Sequence, residues 1–334
     1  MQLLRIGTLG SSRISQPALI EPADSVPEVT VAAVAARDPA RAEAYALRHG
    51  LERAYGSYEE LLADPDIDAV YNPLPNSLHG PWTLRAIEAG KHVLCEKPFT
   101  SNADEAAQVV QAASASGLVV MEAMHYRYHP LTQRLTEVVG ELGPVRHIQA
   151  WTSFAIVDPG DIRYDYGLAG GAMMDGGCYA IDCLRLLGGD EPSVTGALAD
   201  PVDSGAVPEA ADRSLAVRLA FPRGATGWFE SSFTRDGPFR ADLHVICEDG
   251  LVHLDNFIFP TRGRLTATRE GTVVADEAGT GESTYVYQLR AFAAAITSGE
   301  PFPTSAASAL VTMRLIDDAY RAAGLAPRPA DGRA

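Results

Sequence analysis

Cysteine is scarce in this sequence of 334 residues, which contains only four: Cys95, Cys178, Cys183 and Cys247. None of them forms the C-x-x-C spacing of a zinc or redox motif, and their placement indicates no disulfide framework. We therefore expect a reduced protein without a cysteine-based metal site.

Basic residues and long apolar runs are also few. Lysine and arginine together number 27 against 43 aspartates and glutamates, which gives a formal net charge of −16. Bare nucleic acid and anionic membranes both require a basic face, so neither is a predicted partner. No apolar run is long enough to span a bilayer, and the N-terminus lacks the layout of a signal peptide, so a cytoplasmic location is expected. The length and the 46% hydrophobic content suffice for two domains with real cores.

The first 125 residues alternate short apolar runs with helical stretches. The apolar runs, which predict buried strands, are Leu3–Leu9, Val29–Ala35, Ala69–Tyr71, Val93–Cys95 and Val119–Met121. Helices are predicted from Pro39 onward and over 81–89 and 103–116. Strands alternating with helices predict a doubly wound parallel sheet, which binds ligands at the carboxyl ends of its strands.

A glycine turn follows the first strand, in the strand–turn–helix context that a dinucleotide-binding loop requires. The residues predicted to contact a cofactor there are Gly7, Leu9, Gly10, Ser12, Arg13 and Ile14. Glycines let the backbone approach a pyrophosphate, and a helix start offers free N–H groups to it. The full G-x-G-x-x-G pattern is absent, because Leu9 and Ser12 stand at two of its glycine positions. A plain turn is therefore the alternative.

Arg37 follows the second strand, where an acidic residue would hold the ribose 2′-hydroxyl of NAD. A guanidinium at this point can instead bind a 2′-phosphate with two parallel hydrogen bonds. The alternative is a solvated arginine that pairs with Asp38 or Glu43. We predict NADP(H) as the cofactor, with NAD(H) second.

Polar residues follow two further strands of the predicted sheet. A turn with two prolines carries Leu74, Asn76 and His79, which we assign to the cofactor site; its prolines could also be simple turn punctuation. Glu96 and Lys97 come directly after the next strand. Such a pair is costly to bury unless it has a function, and the alternative is an ordinary ion pair at the rim.

A glycine-rich segment over 170–182 carries Asp175, Tyr179 and Asp182 among small and apolar residues. In a helix, Asp175 and Tyr179 would project from one face, because they are four residues apart. A carboxylate beside a phenol is suited to proton transfer. It is equally the pattern of a buried helix whose polar groups satisfy each other.

Longer strands follow beyond about residue 128. They are predicted over Val145–Phe154, Leu215–Phe221, Thr226–Phe233, Ala241–Cys247 and Leu251–Leu254. Their spacing predicts a mostly antiparallel sheet that can leave one face free. An exposed apolar face usually meets a partner, so we expect a homo-oligomer, a dimer or tetramer.

Other parts of this second half are predicted less specifically. Arg163 and Tyr164 lie in a polar and aromatic segment that could line a substrate cleft, a surface loop being the alternative. Amphipathic helices are expected over 285–298 and 305–323, followed by a frayed tail over 327–334.

Four motifs carry a resemblance to a known family. They are Gly7-x-x-Gly10, Pro73-Leu74-Pro75-Asn76-x-x-His79, Glu96-Lys97-Pro98 and Gly170-Gly171-Ala172-x-x-Asp175-x-Gly177-x-Tyr179. Together they resemble the glucose–fructose oxidoreductase / inositol dehydrogenase (Gfo/Idh/MocA) family over essentially the whole chain. Residues 121–130 look most like its branch of NADP-dependent xylose dehydrogenases and dimeric dihydrodiol dehydrogenases. The resemblance implies a Rossmann domain over 1–125 and a substrate-binding and oligomerisation α/β domain over 126–334.

The resemblance also implies hydride exchange between a nicotinamide and a carbohydrate-like alcohol or ketone. The family's catalytic lysine falls on Lys97, and the Lys97–Pro98 bond is expected to be cis. The family's aspartate matches Asp175, whereas Tyr179 stands where inositol dehydrogenases carry histidine, which makes inositol a poor substrate candidate. Glu96, Lys97 and Arg127 join the predicted cofactor-binding residues.

A mechanism follows from these assignments. A free phenol has a pKa of about 10, so Tyr179 needs help to act as a base. Lys97 would favour the phenolate and hydrogen-bond the substrate oxygen, and Asp175 would support them. Arg163 and Tyr164 complete the predicted substrate contacts, and no metal is needed.

Two other functions stay open on the sequence. One is a redox-neutral enzyme, such as a glycosidase or epimerase that retains its nucleotide, and the other is a nucleotide sensor without turnover. The substrate itself, whether a sugar, glycoside, nucleotide-linked ketosugar or diol, depends on loops that the sequence does not define.

Overall fold

The computed structural model describes residues 3–203, 205, 207–234 and 237–330. They form two compact units: residues up to His125 together with Tyr285–Leu310, and Tyr126–Thr284 together with the residues from Val311 on. The sequence predicts a simpler division into 1–125 and 126–334, in which Tyr285–Leu310 does not return to the first unit.

A parallel sheet is the centre of the first unit. Its strands are β1 (Leu4–Leu9), β2 (Val29–Ala35), β3 (Arg53–Tyr55), β4 (Ala69–Asn72), β5 (His92–Cys95) and β6 (Val120–Glu122). Their order in space is β3-β2-β1-β4-β5-β6, and all pairings are parallel. The order reverses between β1 and β4, which is where doubly wound sheets open a ligand crevice at their carboxyl edge. The predicted doubly wound sheet is confirmed.

Helices connect these strands and continue into the second unit. In the described residues they are α1 (Glu21–Ala23), α2 (Pro39–His49), α3 (Tyr58–Ala63), α4 (His79–Glu88), α5 (Ala103–Ser116), α6 (Pro130–Glu141), α7 (Cys178–Gly188), α8 (Thr284–Ser298) and α9 (Ala306–Ala322). Their ends follow local chemistry: Asp38 caps α2 through the Ala40 amide at 3.0 Å, and Gly50 ends it at a φ of 67°. None of the described helices is both long and apolar enough to cross a membrane.

A second, larger sheet dominates the other unit. Its strands are β7 (Val145–Ala155), β8 (Ser193–Pro201), β9 (Asp212–Ala220), β10 (Thr226–Thr234), β11 (Arg240–Cys247), β12 (Gly250–Leu254), β13 (Arg264–Arg269) and β14 (Thr272–Ala278). They lie in the order β14-β13-β12-β11-β7-β10-β9-β8, antiparallel except where β10 pairs with β7. Buried and exposed side chains alternate along β7 and β11, so one face packs on a core and the other is open. The predicted mostly antiparallel sheet is confirmed.

Several short elements were not predicted. β3 and α3 lie between α2 and β4, where the sequence predicts no further strand or helix. β8, β13 and β14 extend the second sheet toward its two edges. β3, β8 and β14 are edge strands, which lack the continuous apolar runs of buried strands because they are covered on fewer sides. In β14, for example, Val273 and Val274 are exposed.

The end of the chain is ordered where a frayed tail was expected. Arg328 is among the largest fully buried side chains, and its Nη2 donates to Asp212 Oδ1 at 2.6 Å. Its Nε donates to the Gly170 carbonyl at 2.6 Å, and Tyr320 donates to the same aspartate oxygen at 2.9 Å. The expectation of a frayed tail is therefore wrong for 327–330, since an arginine is buried only with partners for its charge and its N–H groups. Residues 331–334 lie outside the described part.

Candidate active site

The two glycines in and after β1, Gly7 and Gly10, have different structural roles. Gly10 has a φ of 85°, in the left-handed region that favours glycine, and its N–H donates to Ala35 O at 2.7 Å. Gly7 lies within β1, where a Cβ would come within 2.8 Å of the Leu61 side chain. A side chain at Gly7 would therefore crowd Leu61 of α3, which is a packing reason for glycine beside the close approach of a phosphate that the sequence predicts.

Two serine hydroxyls near this edge of the sheet are buried without a protein partner. Ser11 follows Gly10, and Ser77 lies in the 3-10 turn Asn76–Leu78; neither Oγ has a hydrogen-bond partner among the described residues. Because buried hydroxyls normally find one, the edge fits a polar ligand such as a dinucleotide. The other predicted loop residues differ in access: Leu9 is buried, Ser12 and Ile14 are half-buried, and Arg13 is exposed.

Arg37 is exposed at the end of β2 and borders a cavity of about 370 Å³. The cavity is lined by Arg37, Gly56, Ser57, Tyr58, Glu59, Leu78 and Trp82. Burial raises the pKa of the Tyr58 phenol, and the charge of Arg37 opposes that rise. Asp38 serves as the cap of α2, and among the described residues Arg37 forms no ion pair with Asp38 or Glu43. The guanidinium is therefore available to an anionic ligand.

His79 joins two proline turns in the first unit. Its Nδ1 lies 2.7 Å from Pro98 O and its Nε2 lies 2.8 Å from Leu74 O. Burial lowers the pKa of the ring to about 4, although both carbonyls favour the charged form. A neutral ring can donate to only one of them. With both nitrogens facing backbone carbonyls, we expect His79 to position the turn of Leu74 and Asn76 rather than to contact a cofactor through its ring.

Glu96 and Lys97 follow β5 directly. The Glu96 carboxylate accepts from Tyr71 Oη at 2.7 Å and from the Lys97 amide at 3.2 Å, and the Lys97–Pro98 bond is cis, as the resemblance implied. Glu96 is almost fully buried. A buried carboxylate held by a phenol and a backbone amide does not fit the simple rim ion pair that was the alternative for this pair.

Two residues beside Lys97 were missed from the sequence. His125 is buried, and burial together with the charge of Lys97 lowers its pKa to about 3, so its ring is neutral. Tyr285 packs on it with ring centroids 4.3 Å apart. Burial raises the pKa of Tyr285, helped by Glu96 and opposed by Lys97. His125 lies within residues 121–130, which carry part of the resemblance, and could have been found, but Tyr285 lies in the first turn of α8, far along the chain, and no local signal marks it.

The glycine motif of the second unit begins as a π-helix over Met173–Gly177 and continues as α7. Such local widening is rare and is frequent at functional sites. Asp175 lies in the π-helical part, where its Oδ2 is 3.5 Å from Arg163 Nε. The structure thus brings together two of the predicted substrate residues.

The paired glycines are required by packing within this unit. A Cβ on Gly170 would come within 2.5 Å of Arg163 O, and one on Gly171, at a φ of 134°, within 2.0 Å of Asp212 Oδ1. Asp212 also accepts from the Met173 amide at 2.7 Å. The buried ion pair of Asp212 and Arg328 therefore holds the turn that leads into Asp175.

Tyr179 is almost fully buried on α7. It lies near Tyr126, which shares a hydrogen-bonded carboxylate with Arg127, a predicted cofactor-binding residue. Its ring centroid lies 6.1 Å from that of Tyr126, edge to face. Tyr126 Oη donates to Asp182, and Arg127 Nη1 lies 3.0 and 3.1 Å from the two oxygens of that carboxylate. Burial alone would lower the pKa of Arg127, but Asp182 raises it overall. Asp182 thus anchors Arg127, a role that the sequence did not reveal.

Tyr164 makes two contacts within its own unit that the sequence did not reveal. Its hydroxyl donates to Ile156 O at 3.1 Å, and its ring packs edge to face on Phe233 with centroids 5.5 Å apart. We therefore expect Tyr164 to hold the loop before the glycine motif, while Arg163 beside it keeps more than a third of its side chain exposed.

The two sheets and the polar groups at the strand ends define a class, the oxidoreductases with a dinucleotide-binding Rossmann fold. Residues 4–124 match the sequence model of an oxidoreductase family with an NAD-binding Rossmann fold, and residues 133–253 match the model of its C-terminal domain. The chain belongs to this family, Gfo/Idh/MocA.

Individual relatives agree with that family over most of their length. The chain is 40% identical over 325 residues to D-xylose 1-dehydrogenase (NADP(+)) 2 of Haloferax volcanii, covering 96% of this chain and 97% of the relative. It is 36% identical over 211 residues to trans-1,2-dihydrobenzene-1,2-diol dehydrogenase of Sus scrofa, covering 62% and 61%. The crystal structure of a 3-ketoreductase from Actinomadura kijaniata, in complex with NADP and TDP-benzene, superimposes with a TM-score of 0.87 at 27% identity, covering 96% and 98%. The resemblance to the xylose and dihydrodiol dehydrogenases is confirmed.

Proposed function

We propose that this protein is an NADP-dependent dehydrogenase or reductase that acts on a CH–OH group or carbonyl of a sugar-like substrate. The residues up to 125 would bind the nucleotide, and those from 126 on would bind the substrate. The observation that carries the proposal is the neighbourhood of Lys97, whose charge acts on buried His125 and Tyr285 at the end of a Rossmann strand. The named activity of the Haloferax relative supports it.

Tyr179 and Lys97 are the acid–base pair in this proposal. The nicotinamide supplies the hydride chemistry when it is bound. Tyr179 takes the hydroxyl proton of the alcohol, or returns it to a carbonyl oxygen in the reductive direction. Lys97 favours the phenolate and hydrogen-bonds the same oxygen, and a neutral His125 adds no second positive charge beside it. Asp175, with Arg163, holds a neighbouring hydroxyl.

A substrate and cofactor panel tests the proposal. NADP⁺ with aldoses such as D-xylose, and NADPH with ketosugars, should give a net change in nicotinamide absorbance for at least one substrate. Turnover with retained cofactor and no net change in absorbance would point to a redox-neutral enzyme. Tight cofactor binding without turnover across the panel would point to a sensor.

Arg37 sets the cofactor preference in this proposal. Arg37→Ala should lower kcat/KM for NADP⁺ by about 10- to 100-fold, because hydrogen bonds to charged groups contribute about 1.5–3 kcal/mol. The value for NAD⁺, which lacks the 2′-phosphate, should change little.

Arg48→Ala is the matched control, because Arg48 is an exposed arginine at the far end of α2. It should leave both values unchanged. A preference for NAD⁺ in the wild type that survives Arg37→Ala would contradict the assignment.

The open face of the second sheet supports a homo-oligomer, for which we propose a dimer. Trp151 and Trp228 pack edge to face there with ring centroids 5.3 Å apart, beside a groove of about 530 Å³. Leu198 and Leu251 expose more than half of their side chains on strands of the same sheet. Light scattering should give a dimer mass, and Trp228→Glu should shift it toward the monomer by placing a charge in the apolar contact. A wild type that is monomeric at all concentrations would refute the dimer.

A further inference from the structure

A second cluster of polar side chains lies on the open face of the large sheet, outside the proposed catalytic residues. Asp242 and His244 are two residues apart on β11, so they stand on the same face. His253 of β12 pairs directly with His244 across the sheet. Side chains in such a cross-strand pair have Cβ atoms about 4.5–5.5 Å apart. The hairpin between β11 and β12 thus builds one site from two strands.

The two imidazoles converge on a single carboxylate. Their rings are stacked with centroids 4.4 Å apart and planes inclined by 25°. His253 Nε2 lies 2.6 Å from Asp242 Oδ1, and His244 Nε2 lies 3.4 Å from Asp242 Oδ2. The three donor atoms all lie within 4.8 Å of one another. Both histidines are more than a third exposed, so core packing does not account for the arrangement.

We propose that Asp242, His244 and His253 bind a divalent transition metal ion of the zinc type. Two imidazoles and a carboxylate are ligands that such ions accept, and hard ions such as Mg²⁺ and Ca²⁺ prefer oxygen alone. With bonds of about 2.0–2.2 Å, tetrahedral zinc separates its ligand atoms by roughly 3.3 Å. The His244 contact already has this spacing. The His253 contact widens slightly when the metal replaces the proton shared with Asp242, and water completes the coordination.

Arg240 is the natural competitor for the ion. Its Nη2 lies 2.8 Å from Asp242 Oδ2, and its guanidinium packs 4.3 Å over the Trp151 ring. Nearly half of its side chain is exposed, so it has room to swing aside. A guanidinium on Asp242 Oδ2 competes with a metal ion for that oxygen and repels the ion by its charge, so removal of the guanidinium should raise the affinity for the metal.

The proposal is tested by equilibrium dialysis of the untagged full-length protein against zinc chloride, with metal analysis. One zinc ion per chain should bind. His244→Ala, His253→Ala and Asp242→Asn should each weaken binding about 100-fold or more, since even groups that only orient a ligand contribute 10- to 100-fold. Arg240→Gln should strengthen it several-fold. Cobalt(II) should give visible absorption bands at one equivalent and quench tryptophan fluorescence, because the Trp151 ring lies 5.5 Å from that of His244.

His147→Ala is the matched control, because His147 lies on neighbouring β7 and bonds to Thr226 at 2.6 Å, outside the cluster. It should bind zinc like the wild type. The series is repeated on Trp228→Glu, so that burial of the face in a dimer does not limit access. No bound zinc, or zinc retained in the His244→Ala/His253→Ala double variant, would overturn the proposal.

Discussion

Tyr179→Phe and Lys97→Ala are each expected to lower kcat by about two to four orders of magnitude, the range for losing general acid–base assistance. Phenylalanine keeps the ring against Tyr126 but removes the hydroxyl that would carry the proton. Alanine at position 97 removes the cation that would favour the phenolate. Initial rates with saturating NADP⁺ measure the effect, and cofactor affinity, measured separately, distinguishes a catalytic loss from a binding loss.

Tyr164→Phe is the matched control for the tyrosine variant. It also removes one hydroxyl from the second unit, but that hydroxyl donates to Ile156 O and has no part in the proposed proton transfer. We expect it to cost about 1 kcal/mol of stability and to leave kcat within a few-fold of the wild type. If Tyr179→Phe and Lys97→Ala both keep full turnover, the proposed acid–base pair is wrong.

Arg328→Met is expected to lower the free energy of unfolding by about 3–5 kcal/mol, because it leaves the Asp212 carboxylate buried without its charge partner. Both side chains of this ion pair are completely buried. Urea unfolding followed by circular dichroism measures the loss. Because Asp212 also holds the Met173 amide, the surviving folded protein should bind substrate less well.

Arg146→Met is the control for this variant. Arg146 lies on β7 and pairs with Glu248 at 3.0 Å, and both side chains are about half exposed or more. Exposed pairs contribute about 0–1 kcal/mol, so a small loss is expected. Adding Asp212→Asn to Arg328→Met should recover part of the stability, since the unpaired charge is then removed. A loss below about 1 kcal/mol for Arg328→Met alone would show that the pair does not hold the turn.

The buried parts of the fold were predictable because burial imposes a pattern on the sequence. Val29–Ala35 is predicted and observed with the same bounds, since a central parallel strand is apolar on both faces. β3 and β14 were not predicted, because edge strands carry mixed side chains. The π-helix at Met173–Gly177 was also unforeseen, since the paired glycines Gly170 and Gly171 before it are equally compatible with the start of an ordinary α-helix.

Only those residues of the candidate site that lie near strand ends or in short motifs could be predicted from the sequence. Lys97 stands directly after β5, and its position follows from the strand. Tyr285 and Arg328 reach their partners through tertiary packing, which leaves no local spacing to detect. Gly7 and Gly170 also have a packing role that the sequence does not reveal, since a Cβ at either position would crowd neighbouring protein atoms within its own unit.

The returning segment Tyr285–Leu310 has a consequence for how the chain is made. It completes the first unit: Thr304 O accepts from the Glu122 amide at 2.9 Å, and Arg290 donates to Ser25 O at 3.3 Å. Synthesis proceeds from the N-terminus, so these partners emerge from the ribosome only after the whole large sheet has been translated. The Rossmann unit, although encoded first, therefore cannot be completed before the large sheet of the second unit has been translated.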